Sequence, residues 1–418
     1  MLNRILAIGF IFFGTSIAWI ILGTTVTQRT QKQDVKLKDA VGQLWGTSQR
    51  QKALLVYYQT TKDIKVETTK GAETIYEIKT ETTNHFIPVN ASEVEVDLLL
   101  DHRRKGLLWY STYGVNFIGK YQILNPTGEK REVSLNFFFP TQGAIYDNFK
   151  FMIGEKEVRD IQISSGIIHE KIKLNPGQME NVEITYESQG LNEWWYDFGS
   201  NVNQVKNFSL IMNTNFEEID FPQNSISPTE KERTEKGWKL QWKYSNLLSG
   251  IQIGMGMPRK LNPGPWVSRI TKSAPVSLFL FFFLLFVFTT VRKVNIHPMN
   301  YFFVAAAFFS FHLLLAYLVD HISIHLSFFI CSIVSIFLVV SYMRLVVGRR
   351  FAFVEVGISQ FVYLVLFSYT FFFEHYSGLA ITILCILTLF IVMQFTGRLK
   401  WETVFRQMEK GSNSIESH

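Results

Sequence analysis

Six apolar runs of bilayer-spanning length constrain this chain more than anything else in it. They are Ile5 to about Thr24, Ala274 to Val291, Tyr301 to Val319, Leu326 to Met343, Phe351 to Phe373 and Leu379 to Phe395. Hydrocarbon offers no water to backbone N–H and C=O groups, so a run this long and this free of charge must pair them internally as a helix. The first run follows Arg4 and is longer than the ~7 to 15 residue apolar core of a cleaved signal peptide. Gly23-Thr24-Thr25-Val26 also lacks the small-residue pattern of a cleavage site, so an uncleaved N-terminal anchor is expected over 1–25.

The connections set the orientation, because Lys and Arg near helix ends stay on the cytoplasmic side. Arg4, Arg292 with Lys293, Arg344 with Arg349 and Arg350, and Arg398 with Lys400 fall in alternate connections, whereas Asp320 to His325 and Glu374 to Ser377 contain neither residue type. Both termini are thereby expected in the cytoplasm and residues 26–273 outside it, which in a two-membrane bacterium means helices in the inner membrane and this segment in the periplasm.

Between the first and second runs the hydrophobic period drops to two, the repeat of strands. Gly119 to Asn125 reads as a strand, Asn125-Pro126-Thr127-Gly128 as a turn and Val133 to Phe139 as the returning strand, stopped by Pro140. Lys150 to Ile153 and Val158 to Ile163 flank the tight turn Gly154-Glu155-Lys156, and Lys171 to Leu174 reaches Asn175-Pro176-Gly177 before Val182 to Glu187. Short strands with turn signals about every ten residues point to an all-β domain, a β-sandwich of immunoglobulin-like type, over 105–200. Trp238-Lys239-Leu240-Gln241-Trp242 alternates so that both indoles share a face. Gln28 to Gln43 reads as a juxtamembrane helix or linker, and Pro258 to Pro265 as a return linker.

The expected fold class is a membrane α-helical bundle of six transmembrane helices, arranged one plus five, with a large extracytoplasmic all-β domain. Its parts are the anchor (1–25), a juxtamembrane segment and strand-rich region (26–104), the sandwich (105–200), a second strand-rich region with the return linker (201–273), the five-helix bundle (274–397) and a cytoplasmic tail (398–418).

Net charge is +6, yet Lys and Arg are interspersed with Asp and Glu through the middle of the chain. With no basic stripe to follow a phosphate backbone, nucleic acid is not an expected partner; the lipid bilayer is. The two cysteines, Cys331 and Cys385, sit in apolar runs, so packing rather than disulfides must hold the external region. His-Glu-x-x-His, Gly-x-Ser-x-Gly, a phosphate-binding glycine loop and Cys-x-x-Cys are all missing. The reading is non-enzymatic, with no catalytic residue, no cofactor and no assigned metal.

Asp320, His321 and His325 in one short loop and Glu374 with His375 in another form the best polar constellation. Should the loops meet, two carboxylates and three imidazoles would suit a divalent cation or a titration near neutrality, although short loops between spans are polar simply because they meet water. Within the spans, His312, Glu355 and Gln360 are the residues a transport path would need, and such groups are costly in hydrocarbon without partners. Glu355 lies about one turn from Arg349 and Arg350, which suggests snorkelling to the interface. Ser327, Cys331 and Ser335, and Gly378, Thr382, Cys385 and Thr388, recur at helical spacing and would let helices approach closely. Trp194-Trp195-Tyr196 reads as core or interfacial belt before ligand platform.

His297-Pro298-Met299-Asn300-Tyr301, then Leu315-Ala316-Tyr317-Leu318-Val319-Asp320-His321, then Arg398-Leu399-Lys400-Trp401 resemble the membrane signature of the CreD family of bacterial inner-membrane proteins. A fainter likeness runs from Pro228 to Gln241, and most of 105–200 lies outside it. The resemblance implies a role in cell-envelope integrity, expression tied to envelope stress, and no catalytic residue to carry over. Physically, His297, Pro298 and Met299 look like a helix start, where the missing N–H of proline costs nothing. The expected function is support of the envelope through a periplasmic domain that binds an envelope protein or glycan; the alternative is a transporter or channel with an external binding domain.

Overall fold

The computed structural model describes residues 2–70, 73–199, 205–247, 252–373 and 376–397. Two compact units emerge, one from Met1–Val35 with Leu261–His418, the other from Lys36–Lys260.

Among the described residues, six helices of the first unit are long and apolar enough to cross a membrane. They are α1 (Leu2–Trp45), α2 (Pro263–Val291), α3 (Pro298–Leu318), α4 (Ile324–Val347), α5 (Arg349–Phe372) and α6 (Ser377–Thr396). All six apolar runs are therefore helical, but two boundaries moved. α1 continues through the expected juxtamembrane stretch, which contains no Pro, and stops at Gly46, whose φ of +86° is the left-handed conformation that ends helices cheaply. α2 starts inside the expected return linker because Pro263 at its first turn is preset for a helix, with Asn262 as the N-cap position.

The one-plus-five arrangement gives way to a bundle in which α1 is a full member. Trp19, Leu22 and Val26 lie in the same core as Phe281, Phe308, Phe311 and Val339. The opposite faces carry exposed Phe10, Phe337, Leu345 and Ile386, the side that hydrocarbon would cover. Gly23 and Gly264 let α1 and α2 approach: a Cβ on Gly264 would run into Thr30, and Ser268 Oγ donates to Gly23 O at 3.0 Å. Ser327, Cys331 and Ser335 are buried as expected of a close-packing stripe, whereas Gly378 and Thr382 on α6 are exposed and only Thr388 of that stripe is buried.

The second unit contains strands β1 (Gln49–Lys52), β2 (Leu55–Lys70), β3 (Glu73–Phe86), β4 (Ala91–Lys105), β5 (Leu108–Leu124), β6 (Arg131–Phe138), β7 (Tyr146–Ile153), β8 (Lys156–Glu157), β9 (Ile163–Ser164), β10 (Ile167–Leu174), β11 (Met179–Leu191), β12 (Glu193–Asp197), β13 (Val205–Thr214), β14 (Glu230–Arg233), β15 (Trp238–Leu247) and β16 (Ile253–Gly256). An eight-stranded sheet has the order β14-β15-β13-β4-β5-β11-β7-β8, a five-stranded one β3-β2-β6-β10-β9, and a small one β1-β12-β16. Alternate residues of the two large sheets bury one core: Val94, Val96, Phe117 and Ile184 belong with Val133, Leu135 and Ile168, and Phe137 of β6 lies 6.4 Å from Tyr186 of β11.

This is not the immunoglobulin-type sandwich expected over 105–200. The strands of that range are completed by others from outside it, with β4 between β13 and β5 and β2 against β6, and the pairings β13–β4 and β1–β12 are parallel. The turn at Asn125 shows why local signals misled. It sends the chain from β5 in one sheet to β6 in the other instead of closing a hairpin. Asn125, fully buried, holds that crossing: its Nδ2 donates to Leu174 O and Glu129 O, and its Oδ1 accepts from Thr127 N. Trp238, Leu240 and Trp242 do share the inward face of β15, as alternation requires.

Candidate functional site

Asp320, the carboxylate of the loop constellation, is engaged by a residue that the sequence did not single out. Arg29, at 3.0 Å and 3.3 Å, grips both carboxylate oxygens, donates to Ala316 O and lies over the Tyr317 ring. The signal available was an arginine just past the end of an apolar run and a loop that has an acid and no Lys or Arg of its own. His321 is exposed, and His325 stacks on Phe372 with ring centroids 4.8 Å apart. Glu374 and His375 lie outside the described residues. Among the described residues no group of three or more His, Cys, Asp or Glu is placed to hold a metal ion.

The cleft that Glu355 lines includes neither His312 nor Gln360. His312 is packed within protein, edge-on to Trp19 and Phe311 at 5.7 Å and 5.0 Å, with Nδ1 3.3 Å from Phe308 O. Gln360 is fully buried and donates to Ser335 Oγ, which donates in turn to Ala307 O. These contacts tie α3, α4 and α5 together. The partner of Glu355 is Arg292 at the end of α2, which reaches its Oε1 at 3.1 Å, and the Glu355 side chain keeps 12% exposure. The local cause is in α5, where π-helical turns at Ala352–Val356 and Phe361–Leu366 interrupt the α-helical repeat and flank Gly357–Gln360. Beside the ion pair lies a cleft of about 330 Å³ lined by Leu284, Phe288, Ile391 and Phe395.

His297 caps α3 as the sequence suggested, its Nδ1 accepting from Met299 N at 3.3 Å, and Asn300 Oδ1 accepts from Tyr342 OH at 2.7 Å on α4. The motif fixes the start of a helix and its neighbour.

In the β unit, Trp194, Trp195 and Tyr196 are core: all three are buried, and Arg50 covers the Trp195 ring at 4.9 Å. A larger cavity opens nearby, about 680 Å³, lined by Tyr58, His85, Phe86, Tyr196, Phe198 and Phe208. Tyr58 and His85 stack at 4.9 Å across β2 and β3, His85 is bonded to Thr60 Oγ1 at 2.8 Å, and Phe86 is exposed. Sequence patterning did not reveal this cavity, because it forms where strand ends far apart in the chain meet. Burial without full solvation keeps the hydroxyls of Tyr113, Tyr121, Tyr186 and Tyr196 protonated well above the ordinary tyrosine range, and pushes Tyr146 up to about 12.

No curated protein matches the chain. Among solved structures, a Legionella pneumophila protein described as nutrient-binding is 12% identical, with a TM-score of 0.29 over 46% of this chain and 74% of that one. The M1 zinc metallopeptidase of Deinococcus radiodurans is 8% identical, with a TM-score of 0.23 over 41% of this chain and 42% of that one. Likenesses this distant carry no conclusion about fold or activity. The C-terminal region is different: residues 262–402, which hold His297-Pro298-Met299 and five of the six apolar helices, match the family described as inner membrane protein CreD, so the resemblance drawn from those residues is borne out there.

Proposed function

We propose that this chain is a non-enzymatic inner-membrane protein that supports cell-envelope integrity, with its β unit in the periplasm, both termini in the cytoplasm, and an envelope component, protein or glycan, bound by the β unit. The observation that carries the binding role is the 680 Å³ cavity beside Tyr58, His85 and Phe86, a size and an aromatic character typical of ligand sites. The family match over 262–402 supports the membrane location and the link to the envelope. The alternation of basic and base-free connections supports the orientation. The transport reading loses its motive, since His312 and Gln360 are occupied in packing.

The test is a photo-crosslinking residue at Phe86, at the exposed rim of the cavity, in intact cells. Trp195 would be a poor probe because it is covered by Arg50. Capture of one envelope protein or glycan, lost on Tyr58→Ala, is the expected result. Capture that Tyr58→Ala leaves unchanged would remove the cavity from the account, and a deletion strain with unaltered envelope permeability and stress tolerance would remove the envelope role.

A further inference from the structure

An ionisable pair inside an apolar bundle demands an account, and the pair Arg292–Glu355 is incompletely satisfied by protein. Arginine and carboxylate usually meet through two parallel hydrogen bonds. Here Arg292 Nη2 approaches Oε1 at 3.1 Å, while Oε2 is buried with no partner among the described residues. The Arg292 side chain is 58% exposed, so further guanidinium donors remain available. A buried carboxylate oxygen without a partner is costly, and cationic or donor groups that complete its shell would be favoured.

The cleft beside the pair supplies the rest of the site. Leu284 and Phe288 of α2 and Ile391 and Phe395 of α6 form apolar walls, and Glu355 and Arg292 stand at one end. Its volume, about 330 Å³, suits part of one hydrocarbon chain rather than a whole lipid. Arg292 is also the C-cap residue of α2, which puts the charged end where a membrane helix meets the headgroup layer.

We infer that this cleft is a phospholipid site specific for a phosphoethanolamine headgroup, with the phosphate on the Arg292 guanidinium, the ammonium on the Glu355 carboxylate and one acyl chain along the apolar walls. Charge complementarity selects this occupant: the site presents a cation and an anion side by side, and phosphatidylethanolamine presents the reverse pair. Phosphatidylglycerol lacks the ammonium, and phosphatidylcholine has a quaternary nitrogen with no N–H to donate.

Native mass spectrometry of the full chain, delipidated in mild detergent and then given equal amounts of the three lipids, tests this directly. The expected result is about tenfold preferential retention of phosphatidylethanolamine, the size of one charge-assisted hydrogen bond. Glu355→Gln should abolish the preference while phosphatidylglycerol binding persists, and Leu284→Trp, which fills the cleft but keeps the ion pair, should release all three. Equal retention of the three lipids by the unaltered chain, which needs no variant to fold, overturns the proposal. So does a preference unchanged by Glu355→Gln, or full displacement by free phosphoethanolamine, which would identify a headgroup site without a chain groove.

Discussion

The two units place their buried polar residues under opposite rules. In the β unit apolar side chains turn inward and strands are solvated outside, so a buried polar pair such as Gln51 and Tyr186, bonded to each other at 2.8 Å, sits inside the core itself. In the membrane unit apolar side chains cover both the interior and the outer surface, and the polar residues mark where helices must meet: Gln360 with Ser335, Tyr363 with Thr388, Arg29 with Asp320. The difference teaches that a buried polar residue reads as core specification in one unit and as a joint between helices in the other.

Alkali should separate the units most widely. Tyr113, Tyr121, Tyr186 and Tyr196 are held above their ordinary value of 10.0 by burial, and Tyr146 reaches about 12. The unfolded chain releases these protons near pH 10 while the folded unit retains them, so stability is complete below pH 10 and falls as the pH rises beyond it. The slope is about 1.4 kcal/mol per pH unit for each fully buried tyrosine. Strand circular dichroism should therefore be lost above pH 10 while the helical signal persists; strands still intact at a pH where these five tyrosines have ionised would break the contrast.

Substitution at the seam between sheets comes next. Phe137→Ala removes a fully buried ring between β6 and β11 and should destabilise the β unit by about 3–5 kcal/mol, read as a lowered unfolding temperature of the full chain in detergent. Protease protection of the helical fragment should survive, which sharpens the comparison because the two units have separate cores.

How much of this was legible follows from the range of the signals. The spans were legible because length and apolarity are local properties, and even the cap at His297 could be read from three consecutive residues. Sheet order was not, because Asn125-Pro126-Thr127-Gly128 specifies a turn without specifying which strand waits beyond it. The grip of Arg29 on Asp320 and of Arg292 on Glu355 joins residues 291 and 63 positions apart, and no periodicity reports such a meeting. The loop constellation failed in an instructive way, since Asp320 was chosen for its chemistry and its partner, Arg29, lies in the stretch that sequence reasoning had read only as a juxtamembrane helix or linker.

Arg29→Ala should cost the membrane unit about 1–3 kcal/mol, less than a fully buried pair because the Arg29 side chain is 31% exposed. Arg29→Lys keeps the charge but loses the fork that spans both oxygens, and should recover only part of that loss. If thermal unfolding of the helices were indifferent to both changes, α1 would be no more than an anchor and its place in the bundle core would lose its energetic meaning.

The smallest effect is expected at the residue that chemistry alone would have ranked first. His312 fills a pocket among Trp19, Phe308 and Phe311, and its one polar contact is to a backbone carbonyl of its own helix. Phenylalanine has a similar shape, and Phe308 O already accepts in the α-helical repeat, so His312→Phe should shift stability by less than about 1.5 kcal/mol. Envelope permeability and stress tolerance should match those of the unaltered strain. His312→Ala, by contrast, opens a cavity against Trp19 and should cost about 2–5 kcal/mol. A structural histidine requires that order, with phenylalanine tolerated and alanine damaging. Loss of function in both variants, with the phenylalanine form fully folded, would show that the imidazole itself is needed, and would turn the membrane unit from a scaffold back into a candidate path for protons or ions.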